Sequence, residues 1–271
     1  MAVKNQKRGK PLGYQRWFKA VLAVLTFAPL ITSQPYDYSK TQQIISSVLE
    51  NPLINQVDWL KPVSKLLLLA IAAWTLQRKN SRRNPLMLYY AICLFAFGVF
   101  QNLAVTDSGF TLITGNLLCN WAVGFYCLYD FLKGKSWMNS KCLKKGRLWL
   151  VAPMLFAFLF PYTIRGEIII PSFSNILTNE ACLTYCMLTS ILLGLMLLFP
   201  DGVSGSTLSL LSFVGLWYGA LNLITFFVLD PVNWWMGVLH IPLVIISSCG
   251  AAEAYAKGRT SKWKTDSSLP S

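Results

Sequence analysis

Apolar runs of about 17 to 24 residues recur along this chain, separated by short polar stretches that hold most of its charge. A helix needs about 20 residues to cross a hydrocarbon core about 30 Å thick. In lipid every backbone N–H and C=O must also find a partner within the protein, which leaves helices and closed barrels as spanning structures. Long, unbroken apolar runs suit helices. Composition agrees, because only 13% of the residues are charged and 54% are hydrophobic, against about 25% charged in soluble domains. The expected fold class is an all-α integral membrane protein, a bundle of about eight transmembrane helices forming one polytopic domain over residues 1–271.

The spans are expected at residues 17–33, 63–77, 86–105, 110–132, 148–164, 181–199, 207–229 and 234–250. With eight crossings, both termini lie on one side, and that side is the cytosol if the basic residues are retained there. The segments then inside carry 20 of the 24 Lys and Arg, and those outside only four: Lys40, Lys61, Lys65 and Arg165. The net charge of +13 is thus a topology signal. No nucleic-acid partner is expected; the partner is the lipid bilayer, met by basic tails at 1–16 and 251–271. The steep charge asymmetry and the lack of N-x-S/T sequons favour the plasma membrane of a bacterium-like cell, with an ER-type membrane as the alternative.

Two spans are short. Lys65 and Arg78 bracket twelve residues, about 18 Å of helix, so both side chains are expected to snorkel unless the helix starts near Val57. The first span follows a basic stretch and resembles a signal peptide cut near Ser33, which would leave seven spans. Ile31 stands where such a site wants a small residue, so retention is expected. In the outer loop 34–62, Ile44, Ile45, Val48, Leu49, Leu53 and Val57 recur at helical spacing. They predict an amphipathic helix on the outer face, a roof or a surface-packed element.

Phe199–Leu210 reads FPDGVSGSTLSL and contains a GxSG around Ser204, and the chain has a single histidine, His240. A serine nucleophile needs its base within about 2.6 to 3.2 Å. The topology places Ser204 in an inner turn and His240 in the outer half of the last span, so the motif is expected to be a turn, with Ser206 or Thr207 capping the next helix. The seven cysteines include no C-x-x-C, and six lie within or at the ends of apolar runs. They are expected to be small buried hydrophobes. One histidine excludes paired haem ligation, and no zinc spacing, aspartate-rich metal motif or P-loop occurs. No cofactor and no metal are expected.

Amide and ionisable side chains are costly inside a bilayer, so each is a candidate for function. In the fourth span Asn116, Asn120, Cys127 and Asp130 share one face. Asp130, beside Lys133, is expected to form an interfacial ion pair. The seventh span carries Ser212, Gly215, Gly219 and Asn222 on one face, with a GxxxG that allows close helix approach. Asn116, His240 and Asn222 each fall six or seven residues from the outer end of their spans, about 9 to 10 Å deep, with Asn102 shallower. Asn102, Asn116, Asn120, Asn222 and His240 are therefore expected to form a polar layer in the outer half of the bundle. It is either a ligand-binding site or an interhelical hydrogen-bond layer that only holds helices together.

Three classes of function follow. The first is binding or transport of a small apolar, lipid or amphipathic molecule through that layer. The second is a membrane-integral enzyme acting on a lipid or isoprenoid with His240 as acid or base. The third is a non-catalytic scaffold or assembly factor. The lack of mid-span charge argues against ion-coupled transport, and binding or transport is the reading preferred.

Overall fold

The computed structural model describes residues 10–78, 83–166 and 168–266. Lys4, Lys7, Arg8, Lys79 and Arg82, counted above for topology, lie outside the described residues. The chain is mostly helical: α1 Arg16–Leu25, α2 Thr41–Glu50, α3 Leu60–Gln77, α4 Pro85–Phe100, α5 Thr114–Lys133, α6 Val151–Leu159, α7 Tyr185–Leu198, α8 Gly205–Ile224 and α9 Trp234–Asp266. Three helical stretches are long and apolar enough to cross a membrane: Leu60–Gln77, Gly205–Leu229 and Pro231–Thr260. The last is part of α9, which runs unbroken through Pro242 for 33 residues, well past the expected end of the eighth span.

Several expected spans are helical over only part of their length. Four strands take up apolar residues at their ends, β1 Ile31–Thr32, β2 Leu103–Thr106, β3 Gly109–Leu112 and β4 Tyr162–Arg165, and a fifth, β5 Ile168–Pro171, lies in the loop that follows. β3 lies between β1 and β2 in an antiparallel sheet, and β4 and β5 form a hairpin. Residues such as Leu103, Val105, Phe110 and Ile164 are as apolar as their helical neighbours, so hydropathy joins them to the helices. Gly109 at φ 75° supplies the turn that lets β3 fold back on β2.

The main core is built around α7, twelve of whose fourteen residues are buried. Tyr90 and Leu94 of α4, Leu208 and Leu211 of α8, and Leu239 and Ile246 of α9 pack with it. α3 is peripheral and exposes Leu66, Leu67, Leu69 and Trp74, as a lipid-facing helix does. Lys65 does not snorkel. It is 3% exposed, and its ammonium turns inward to donate to the Phe158 carbonyl at 3.1 Å and to the Ile176 carbonyl. Those carbonyls sit where α6 ends and in the loop that follows β5, so the charge fastens loops to the bundle.

α8 and α9 approach closely through small residues. A Cβ on Gly215 would stand 2.2 Å from Ser247 Oγ, one on Gly219 2.6 Å from Val244 Cγ2, and one on Gly250 2.2 Å from Ser212 Oγ. The GxxxG is thus a packing seam against α9.

Basic segments gather at one end of the bundle. Arg147 pairs with Glu253 at 2.6 Å and Lys144 with Asp201 at 3.1 Å, while Lys257 Nζ donates to the carbonyls of Pro200 and Val203. Asp130 is fully buried here. It accepts from Ser136 N at 3.0 Å, from Ser136 Oγ at 2.8 Å and from Thr207 Oγ1. The expected ion pair with Lys133 is not formed. Gly134, at φ 58°, reverses the chain after α5 and brings Ser136 back over the carboxylate, while Lys133 is exposed.

Candidate functional site

Ser204 belongs to this basic end. Its Oγ accepts from Thr207 N at 3.4 Å, which makes Ser204 itself the cap of α8, in place of Ser206 or Thr207. Its backbone N–H donates to Ser136 Oγ at 3.1 Å. His240 instead lies on a cavity that α8 reaches only at its far end, through Tyr218 and Asn222. The 20 residues of α8 span about 30 Å, and no nucleophile–base contact joins the two residues.

At the end opposite the basic loops lies a cavity of about 260 Å³. Its walls come from Gln101 and Asn102 just beyond α4, the first turns of α5, α7 and α9, the end of α8 and the β4–β5 hairpin. α2 covers it with Gln42, Ile45, Ser46, Leu49 and Glu50, which recur at i, i+3, i+4, i+7 and i+8 and so form one helix face. The amphipathic helix of the outer loop is therefore a roof. It ends at Glu50, before Pro52, so Leu53 and Val57 lie beyond it. The roof has its own small core: Val48 packs with Leu30, Ala104 and Ile113, a cluster separate from the main one.

All five polar residues singled out in the sequence line this cavity. Asn116 is nearer the end of its helix than expected, because α5 starts at Thr114 and the residues before it are strand. His240 is six residues into α9, as read. Their hydrogen bonds separate two groups. Asn102 Nδ2 donates to the carbonyls of Phe97 at 2.8 Å and Gly98 at 3.3 Å, closing the end of its own helix. Asn222 Nδ2 donates to Tyr218 O at 2.8 Å, also within its own helix, and otherwise meets Cys186 Sγ at 3.9 Å. The side chains of Asn116 and Asn120 have no hydrogen-bond partner among the described residues, though Asn120 is only 4% exposed. A layer that merely joined helices would link these amides across helix pairs, and apart from the long Asn222–Cys186 contact it does not.

His240 is held in orientation. Its Nδ1 lies 2.8 Å from Met236 O, so Nδ1 carries the proton and donates, which leaves Nε2 of the neutral ring as an acceptor. Phe226 stacks on the ring at 6.1 Å and 20°. Phe226 belongs to a π-helical turn, Thr225–Leu229, closed by Asp230 N donating to Thr225 O at 2.7 Å. Such turns are rare and cluster at functional sites.

Other lining residues were not singled out in the sequence. Tyr185 and Tyr218 meet edge to face at 5.3 Å, and among the described residues their buried hydroxyls make no well-formed hydrogen bond, though Thr189 and Tyr90 approach the first and Cys119 the second. Glu180 accepts from the Tyr162 hydroxyl of β4. Asp230 accepts from Asn233 Nδ2 at 2.9 Å, and Asn233 Oδ1 in turn accepts from Ile169 N of β5 at 2.9 Å. The hairpin thus hangs between two carboxylates. A signal for them was present: seven of the eleven acidic residues fall in segments expected outside. Among the described residues no group of three His, Cys, Asp or Glu could hold a metal ion, and the cysteines are free. The arrangement can enclose a small molecule with an apolar body and offer it amide, phenol, imidazole and carboxylate groups. Comparison with family models, curated proteins and solved structures finds no match to this chain.

Proposed function

We propose that this protein binds, and passes across or within the membrane, a small amphipathic molecule held in the roofed cavity. One observation carries this reading: the Asn120 amide, 4% exposed on the cavity wall, has no hydrogen-bond partner among the described residues, and the buried Tyr185 and Tyr218 hydroxyls make no well-formed hydrogen bond there, with only looser approaches to Thr189 and Tyr90 and to Cys119. A buried polar group without a hydrogen bond costs about 1 to 3 kcal/mol, so such groups are retained where something else satisfies them. The cavity is close to the lower limit of ligand pockets, about 300 Å³. The test is purification of the full chain in native lipid followed by identification of bound small molecules. Asn116→Ala and His240→Ala are expected to lose the bound molecule, each weakening it about five- to tenfold for one hydrogen bond of about 1 kcal/mol, with the fold retained. Variants that lose stability alone, with occupancy unchanged, would return the polar layer to helix packing.

The membrane reading is eight crossings with both termini on the basic side, in a plasma membrane of bacterial type. Short helices are compatible with it. The six-residue 3₁₀ segment Lys145–Leu150 and the nine residues of α6 together rise about 25 Å. Cys142, a partly exposed thiol at the basic end, tests the orientation. In intact cells an impermeant maleimide is expected to leave it unlabelled until the membrane is opened, and labelling from outside would reverse the topology.

A second reading is favoured by the posture of His240. With Nδ1 fixed on Met236 O, Nε2 is set up as a general base in a membrane-integral enzyme acting on a lipid or isoprenoid. Turnover in detergent, abolished by His240→Ala, would select it over transport.

A further inference from the structure

We infer that the molecule held in the roofed cavity is an organic ammonium cation with a short apolar body. This rests on the binding reading above and names its ligand class. Glu50, Glu180 and Asp230 line the cavity, and among the described residues no Lys or Arg does. The ion pairs Lys61–Asp58, Lys144–Asp201 and Arg147–Glu253 lie elsewhere. The side-chain hydrogen bonds that Glu180 and Asp230 accept come from neutral donors, a phenol and an amide. The buried ammonium of Lys65 donates to the carbonyls of Phe158 and Ile176 and is not part of the lining, though its charge also reaches Glu180.

The other polar groups point the same way. The Asn120 amide, 4% exposed and without a hydrogen-bond partner among the described residues, lines the same space as Glu50, Glu180 and Asp230. The carbonyl oxygen of that amide and the Nε2 lone pair of His240 are acceptors, and an ammonium N–H is the donor they lack. The rings of Phe160, Tyr162, Tyr185, Tyr218 and Phe226 also bound the cavity, and aromatic faces attract cations at short range, more strongly where water is excluded. An anion would meet the carboxylates of Glu50, Glu180 and Asp230 with no Lys or Arg of the described residues in the lining. An uncharged molecule would leave these carboxylates facing an apolar guest, a poor exchange for their hydration. The site therefore selects by charge, through attraction of one class and repulsion of the other. Ile45, Leu49, Ile164, Ile169 and Met236 supply apolar wall for a body of a few carbons.

The experiment measures binding of three probes of equal chain length, hexylammonium, 1-hexanol and hexanoate, to the full-length protein in nanodiscs, with empty nanodiscs subtracted. Hexylammonium is expected to bind at least about tenfold more tightly than 1-hexanol, and hexanoate not to bind. Glu180→Gln and Asp230→Asn keep the hydrogen-bond acceptors and remove the charge. Each is expected to weaken hexylammonium on the order of tenfold and leave 1-hexanol unchanged. If 1-hexanol and hexanoate bind the wild-type protein as well as hexylammonium does, the cation inference is overturned while the binding reading stands. If none of the three binds, and natively purified protein holds no small molecule, the binding reading itself falls. The wild-type series decides even if a variant fails to fold.

Discussion

Replacing Gly219 with leucine is expected to cost about 3 kcal/mol or more and to lower the thermal midpoint in detergent more than other single substitutions on α8. A Cβ there already stands 2.6 Å from Val244 Cγ2. Valine in a helix has essentially one χ1 rotamer, so it cannot swing aside, and the two helices must separate. The comparison with Gly215 makes the expectation specific. Its Cβ would meet Ser247 Oγ at 2.2 Å, but that hydroxyl has no hydrogen-bond partner and can rotate away. Gly219→Ala should therefore cost more than Gly215→Ala, and Ser247→Gly should relieve Gly215→Ala while doing nothing for Gly219→Ala. Equal costs at the two glycines in thermal unfolding would refute the packing account. Asn222 lies one turn from Gly219 and lines the cavity, so helix separation is also expected to disturb the site.

Asp130→Ala is expected to be the most damaging change at the basic end, at about 3 kcal/mol. The carboxylate accepts three hydrogen bonds while fully buried, and its removal leaves the Ser136 N–H and hydroxyl and the Thr207 hydroxyl without their acceptor, each worth about 1 to 3 kcal/mol before relaxation. Asp130→Asn keeps one acceptor oxygen and should lie between. The damage has a direction: Ser136 Oγ also accepts from Ser204 N, and Trp137 N donates to Gly202 O at 2.9 Å, so the loop after α5 is joined to the start of α8 through this carboxylate. Limited proteolysis should then cut between residues 134 and 145, with binding at the far end of the bundle changed little. Unchanged stability of Asp130→Ala would show that the network adds nothing beyond solvent hydrogen bonding.

The helical character and the five polar lining residues were legible because both depend on one property, the cost of polar groups in an apolar medium. An asparagine or histidine in an apolar run stands out against its neighbours, and the periodicity of α5 puts Asn116 and Asn120 on one face. Three kinds of feature were less visible. Apolar strands such as Leu103–Thr106 carry the same hydropathy as the helix before them, so backbone conformation changes without any change in side-chain polarity. Tyr185 and Tyr218 are aromatic residues among aromatic residues, and only the packed structure reveals that their buried hydroxyls make no well-formed hydrogen bond. Glu180 and Asp230 lie outside the regular helices, where a carboxylate is unremarkable until the hairpin brings both to one wall. Asp130 was misread because sequence proximity to Lys133 suggests a pair, whereas the left-handed Gly134 decides which residue returns to the carboxylate.

The four-residue cluster of Leu30, Val48, Ala104 and Ile113 separates the fate of the cover from that of the bundle. Few side chains hold that cluster together, so it can part locally while the large core around α7 stays closed. Cooperative units of unequal strength are the usual outcome of such a division. On the proposed function, a guest would enter and leave by undoing a small latch, and its residence time would be set by that latch, independently of how firmly the helices are bound to one another.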